Sequence, residues 1–176
     1  MVKMDRKILY EKLDGLLNIL KVVKEEYETI DTWANTRQFM DRLIDIYLAL
    51  KTEPSIAQDA KFQDYLHESA TELIWFTNYI NNFMVEMEQT LNSTFYNDEW
   101  VGICWQRSAI EAIKEIYQNT CLEEYFTELD TEDLDECIAA KGEKEGYLTE
   151  QQIPSAIPSS HWWWWYPKTP STSHVS

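Results

Sequence analysis

The sequence predicts an all-α protein, an antiparallel bundle of four long helices with a short fifth helix and an irregular Pro-, Ser- and Trp-rich C-terminal tail. Three observations carry that prediction. Apolar residues recur at helical spacing in four stretches between Leu9 and Cys121, in alternating steps of four and three in the first and third, the spacing of helices with one buried face. Only 4 Gly and 5 Pro in 176 residues leave few places for turns, so the elements must be few and long. No run alternates with period two over strand length.

Leu9, Leu13, Leu16, Leu20, Val23, Tyr27 and Ile30 keep the four-three spacing and define a first helix from Asp5 to Ile30. Lys21 with Glu25 and Lys24 with Glu28 stand four apart, as same-face ion pairs do. Asp31 and Thr32 are N-cap residue types. They open a second helix, whose broad apolar face is Phe39, Met40, Leu43, Ile44, Ile46, Tyr47 and Leu50 and which Pro54 stops after Lys51. Ser55 is the expected cap of the third helix.

That third helix, Lys61 to Leu91, is the axis of the chain. Phe62, Leu66, Leu73, Phe76, Ile80, Phe83 and Met87 form its seam, Ser69 fills the one polar gap, and Tyr65, Trp75, Tyr79, Met84 and Leu91 widen it. That width suits a helix touched by several neighbours. Asn92 to Asp98 reads as a connection. A fourth helix from Glu99 to Leu129 carries Trp100, Ile103, Trp105, Ile110, Ile113, Ile116 and Tyr117. Asp130 as cap, Leu134, Cys137 and Ile138 as apolar face and Gly142 as stop give the short fifth helix. Gly146 and the prolines beyond it argue against regular structure in the tail. The domain reading is a helical bundle over 1–142 and a linker with an aromatic tail over 143–176.

Net charge is −16, and it is uneven: 9 basic and 11 acidic side chains in residues 1–60 leave −14 to residues 61–176. Such a surface repels nucleic-acid phosphates and anionic lipid headgroups and favours a basic partner or plain solubility. Three cysteines, Cys104, Cys121 and Cys137, are odd in number and form no Cys-x-x-Cys pair, which fits neither a disulfide framework nor a zinc site and suits a reducing cytoplasm. Met1 to Tyr10 is charged, no apolar run reaches the ~18 residues of a membrane span, and Asn92-Ser93-Thr94 is silent as a glycosylation sequon in such a compartment.

Candidate chemistry is thin. Asp64 and His67 share a helical face, but a di-iron bundle needs a second His-bearing motif from another helix, and His161 and His174 lie in the tail. Asp41 and Asp45 sit off the apolar face of their helix. The acidic run from Glu123 to Glu136 fails as a calcium loop, because Asp135 stands where glycine is required and Leu134 where an oxygen ligand is required. Glu132, Asp133, Asp135 and Glu136 are therefore expected to be dispensable for folding. The cysteines have no adjacent base. The sequence thus predicts no catalytic residue, no metal and no cofactor.

What remains is aromatic excess. Trp75, Tyr79, Trp100 and Trp105, with Trp162, Trp163, Trp164, Trp165 and Tyr166 of the tail, are the candidate partner-binding residues. Four consecutive tryptophans cannot all face one side of a regular element. Burying them contributes roughly 6 to 12 kcal/mol, and ordering some eight residues costs about 8 to 16 kcal/mol, so a docked tail is near balance. The functional expectation is a non-enzymatic protein-binding module, an adaptor or assembly-chaperone-like protein holding a partner's extended peptide or tail in an aromatic groove. The alternative is an acidic decoy that mimics DNA towards a basic nucleic-acid-binding protein. A monomer is expected, with a homodimer through the first helix as the competing state.

Overall fold

The computed structural model describes residues 3–93, 99–146 and 148–166. Among these residues 78% are helical and none lies in a strand. Six α-helices follow one another: α1 (Arg6–Glu26), α2 (Thr32–Thr52), α3 (Ala60–Asn92), α4 (Trp100–Ile116), α5 (Glu123–Glu128) and α6 (Glu132–Glu145). Single 3-10 turns occupy Pro54–Gln58, Glu150–Gln152 and Trp162–Trp164. None of the described helices is long and apolar enough to cross a membrane. The connection expected over Thr94 to Asp98, with Phe95, and the end of the tail, with Pro167, Lys168 and His174, lie outside the described residues.

The chain divides into two compact units, Met1–Phe83 with Ala109–Leu129 and Met84–Ser108 with Asp130–Ser176. In the first, the four-three seams close on one another. Leu9, Leu13, Leu16, Leu20 and Val23 of α1, Phe39, Leu43 and Tyr47 of α2, Phe62, Leu73, Phe76 and Ile80 of α3, and Ile110 and Ile113 of α4 are all buried. Phe39 meets Phe76 with ring centroids 5.6 Å apart, inside the favourable range for aromatic pairs. Direction is legible in the ion pairs. Arg6 with Glu53 and Lys12 with Asp45 show α1 and α2 running opposite ways. Asp14 with Lys61, Lys21 with Glu68 and Lys24 with Glu72 advance together, so α1 and α3 run the same way. Lys21 and Lys24 therefore pair with α3, not with Glu25 and Glu28 of their own stretch.

The polar gap in the α3 seam has a partner. Ser69 and Tyr65 place their hydroxyls 2.9 and 2.8 Å from that of Tyr117, all three buried. Burial pushes the Tyr117 phenol up to about 12 and raises Tyr65 well above the ordinary phenol range, so both remain neutral hydrogen-bonding groups.

Several boundaries differ from expectation, each for a local reason. α1 stops at Glu26 because its carbonyl takes bonds from the Thr29 amide and hydroxyl and from the Ile30 amide. Tyr27 is 51% exposed, so the seam would bury little by continuing through it. Asp59, not Ser55, caps α3, its Oδ1 accepting from the Lys61 and Phe62 amides. The expected fourth helix is two helices, since the Thr120 hydroxyl donates to the Tyr117 carbonyl and accepts from the Leu122 amide, a local alternative to helical bonding. α6 runs through Gly142 and ends at Gly146. A Cβ on Gly142 would stand 2.6 Å from Tyr166 Cδ1 and 3.0 Å from Trp100 Cη2, so that glycine makes room for packing and ends nothing.

Candidate binding site

The second unit is built around the aromatic segment itself. Along the first turns of α4, Trp100, Cys104 and Ser108 recur every four residues and line one buried stripe. Facing it, His161, Trp163, Trp164 and Trp165 are buried, while Trp162 and Tyr166 are half-buried. Burial of Trp163 and Trp164 creates a problem that the stripe solves, because an indole N–H lost from water needs an acceptor, while among the described residues nothing accepts from the buried Trp100 Nε1.

Ser108 is that acceptor. Trp163 Nε1 donates to Ser108 Oγ at 3.1 Å and also to the Cys104 carbonyl at 3.1 Å, and Trp164 Nε1 donates to the same Oγ at 2.9 Å. His161 Nδ1 lies 2.9 Å from that oxygen as well. A hydroxyl has two lone pairs and one proton. Ser108 Oγ and His161 Nδ1 are therefore hydrogen-bonded to each other, with the direction set by the imidazole tautomer. The Cys104 thiol donates to the Trp163 carbonyl at 3.5 Å, and burial pushes it well above the ordinary thiol range.

Arg107 closes the site from α4. Its Nε donates to Asp135 Oδ1 at 2.6 Å and its Nη2 to Asp135 Oδ2 and to Thr131 Oγ1 at 3.1 and 3.2 Å. The guanidinium lies over the Trp163 ring at 4.5 Å, a cation–π geometry. Asp135 thus departs from the expectation that its cluster is dispensable: it is the counter-ion of a side chain only 3% exposed. Glu132, Asp133 and Glu136 lie at the exposed end of the burial scale relative to Leu134, as expected of a solvated face. Edge-on contacts complete the packing, Trp105 on Trp164 at 5.0 Å and Trp162 on Tyr166 at 5.5 Å. The Tyr166 hydroxyl donates to Glu143 at 3.2 Å.

Seven of the nine candidate partner-binding residues belong to this unit: Trp100, Trp105, Trp162, Trp163, Trp164, Trp165 and Tyr166. Trp75 and Tyr79 belong to the other, where they stack edge-on at 5.9 Å, half-buried; among the described residues nothing accepts from the buried Trp75 Nε1. Beside them Ile74 is 55% exposed. Sequence reasoning missed Ser108, His161 and the Arg107–Asp135 pair. The signal for Ser108 was present, a hydroxyl on the Trp100–Cys104 stripe of a chain with indoles to satisfy.

Ser108 and His161 have the separation of a nucleophile and its base, yet both are fully buried and the oxygen also accepts from two indoles. Among the described residues no three His, Cys, Asp or Glu side chains form a group that could hold a metal ion. The chain matches no family model, no curated protein and no solved structure.

Proposed function

We propose that this protein is a non-enzymatic protein-binding module of the adaptor or assembly-chaperone kind, whose α4–α6 face holds an aromatic peptide segment. One observation carries the reading: that face already seats such a segment, 161–166, through buried indole hydrogen bonds to Ser108 and the Cys104 carbonyl. The protein's own tail is the resident occupant. A partner's extended segment would share or displace it, entering past Trp105, Trp162 and Tyr166, the half-buried members of the set. The proposed architecture is a monomeric antiparallel four-helix bundle, supported in the first unit by α2 running opposite to α1 and α3 alongside it. The free thiols of Cys104, Cys121 and Cys137 support a reducing, cytoplasmic setting.

The net charge of −16 and the exposed carboxylates of Glu123, Glu124, Glu128, Asp130, Glu132 and Asp133 favour the second reading, a decoy for a basic nucleic-acid-binding protein. Ionic strength separates the two. Affinity capture from the native host is repeated at about 0.05 and about 0.5 M salt with the parent chain and with Trp105→Ala. A complex that survives salt and is lost in the variant supports the aromatic seat. One that dissolves in salt and ignores the variant supports the decoy, and no partner under any condition removes both.

A further inference from the structure

We propose that the outer face of α6 is a self-pairing surface, on which a second copy of this chain docks with its own α6 antiparallel. The inference does not depend on what the tryptophan seat holds. α6 buries Leu134, Ile138 and Gly142. Another stripe of the same helix, Asp133, Cys137, Ala140 and Lys144, advances by steps of four, three and four and lines a groove of about 520 Å³, whose other wall is Leu91 and Asn92 at the end of α3. Lys141 donates to the Ser93 carbonyl at 3.0 Å and holds the two walls together. Asp133, Ala140 and Lys144 are exposed, and Cys137 is half-buried.

The order of charge along that stripe names the occupant. It reads acid, thiol, methyl, base, and its halves are mirror-spaced: Asp133 stands four before Cys137, and Lys144 four after Ala140. An antiparallel copy sets its Lys144 opposite Asp133, its Asp133 opposite Lys144 and its Ala140 against Cys137, each contact occurring twice about a twofold axis, as isologous contacts do. A parallel copy would set Asp133 on Asp133 and Lys144 on Lys144, and like charge disfavours it. Helix polarity alone asks for an acid in the first turn and a base in the last. It does not ask for two small side chains between them beside a groove, which let a second helix approach closely. Among the described residues of this unit the cations are Arg107, Lys141 and Lys144; Arg107 is buried, and both lysines line the groove. Positive charge is thus gathered where a copy's carboxylates would meet it. α1, whose four-three seam is the other means of joining copies, keeps Leu9, Leu13, Leu16 and Leu20 buried in its own unit. Each bundle remains built from one chain, and a face this short buries less than the roughly 1,200 Å² of a standard interface, so the pairing is weak and reversible.

The test is sedimentation equilibrium of the full chain from about 10 μM to about 1 mM in about 0.05 M salt. Alkylation of Cys137 is followed beside that of Cys121, which is exposed and belongs to the other unit. A monomer–dimer equilibrium is expected, with Cys137 alkylation slowing as the dimer forms and Cys121 alkylation unchanged. Asp133→Lys and Lys144→Asp are each expected to weaken dimerisation at least about tenfold, since each sets like charges opposite one another twice. Mixed in equal amounts the two variants are complementary, one stripe doubly basic and the other doubly acidic, and a heterodimer within about threefold of the parental affinity is expected. A variant that had merely failed to fold would not recover on mixing. A parent that stays monomeric, a dimer that leaves Cys137 as reactive as before, single variants that pair like the parent, or a mixture that stays monomeric overturns the pairing.

Discussion

Arg107 Nε donates to Asp135 Oδ1 at 2.6 Å, and the pair ties α4 to α6 directly beside the Trp163 ring. Four acidic residues of one short helix look alike in sequence, yet Asp135 is the one that answers a buried cation. Asp135→Asn is expected to cost about 2 to 4 kcal/mol, somewhat under the usual range for breaking a buried pair because Asp135 is partly exposed. Glu132→Gln, Asp133→Asn and Glu136→Gln are each expected to stay within about 0.5 kcal/mol of the parent. Urea unfolding of the four variants checks the contrast, and equal midpoints would remove the pairing.

Gly142 faces Trp100 and Tyr166 with no space for a methyl group. Gly142→Ala is expected to destabilise by about 1 to 3 kcal/mol, as overpacking does, although alanine favours the helix around it. If helix propensity won instead, the melting temperature would rise, and the tail would not press on α6 at this point.

Phe76 lies fully buried against Phe39 at the middle of α3. Phe76→Ala is expected to lose about 3 to 5 kcal/mol. A variant that melts like the parent would show that α3 is not central to the first unit.

Tyr117 is raised to about 12 by burial, with Tyr65 raised beside it. A phenol that holds its proton more tightly when folded contributes stability that is complete below about pH 10, the value of a free tyrosine, and is lost as pH rises towards 12. Alkaline titration of unfolding should show that decline, and Tyr117→Phe should make it shallower, leaving the part that Tyr65 and the other buried phenols contribute. The same variant should cost about 1 to 3 kcal/mol at pH 7 by stranding the Tyr65 hydroxyl and removing one partner of Ser69.

The seams of α1, α2 and α3 were legible because a four-three spacing reports burial directly: Leu13, Leu43 and Phe76 stand where the pattern places them. Ends were less legible. A hydroxyl such as that of Thr120 diverts one carbonyl and splits a helix without disturbing the apolar spacing on either side. Gly142 looks like a stop in sequence because a glycine that ends a helix and one that admits a neighbour's ring are the same until the neighbour is known. The aromatic residues of the site could be named from composition alone. Ser108 could be placed on the Trp100–Cys104 stripe, but its pairing with His161 could not be read, since that is a contact between residues 53 apart in sequence and no local pattern encodes it.

The central claim is that the tryptophan segment is seated on α4 through Ser108. Hydrogen exchange of the Trp163 and Trp164 indole N–H groups at pH 7.5, in the parent and in Ser108→Ala, tests it most directly. Slow exchange in the parent, accelerated at least about tenfold when Ser108→Ala removes roughly 1.4 kcal/mol or more of hydrogen bonding, is the expected result. Indole protons in the parent that exchange as fast as those of a free tryptophan peptide would contradict it.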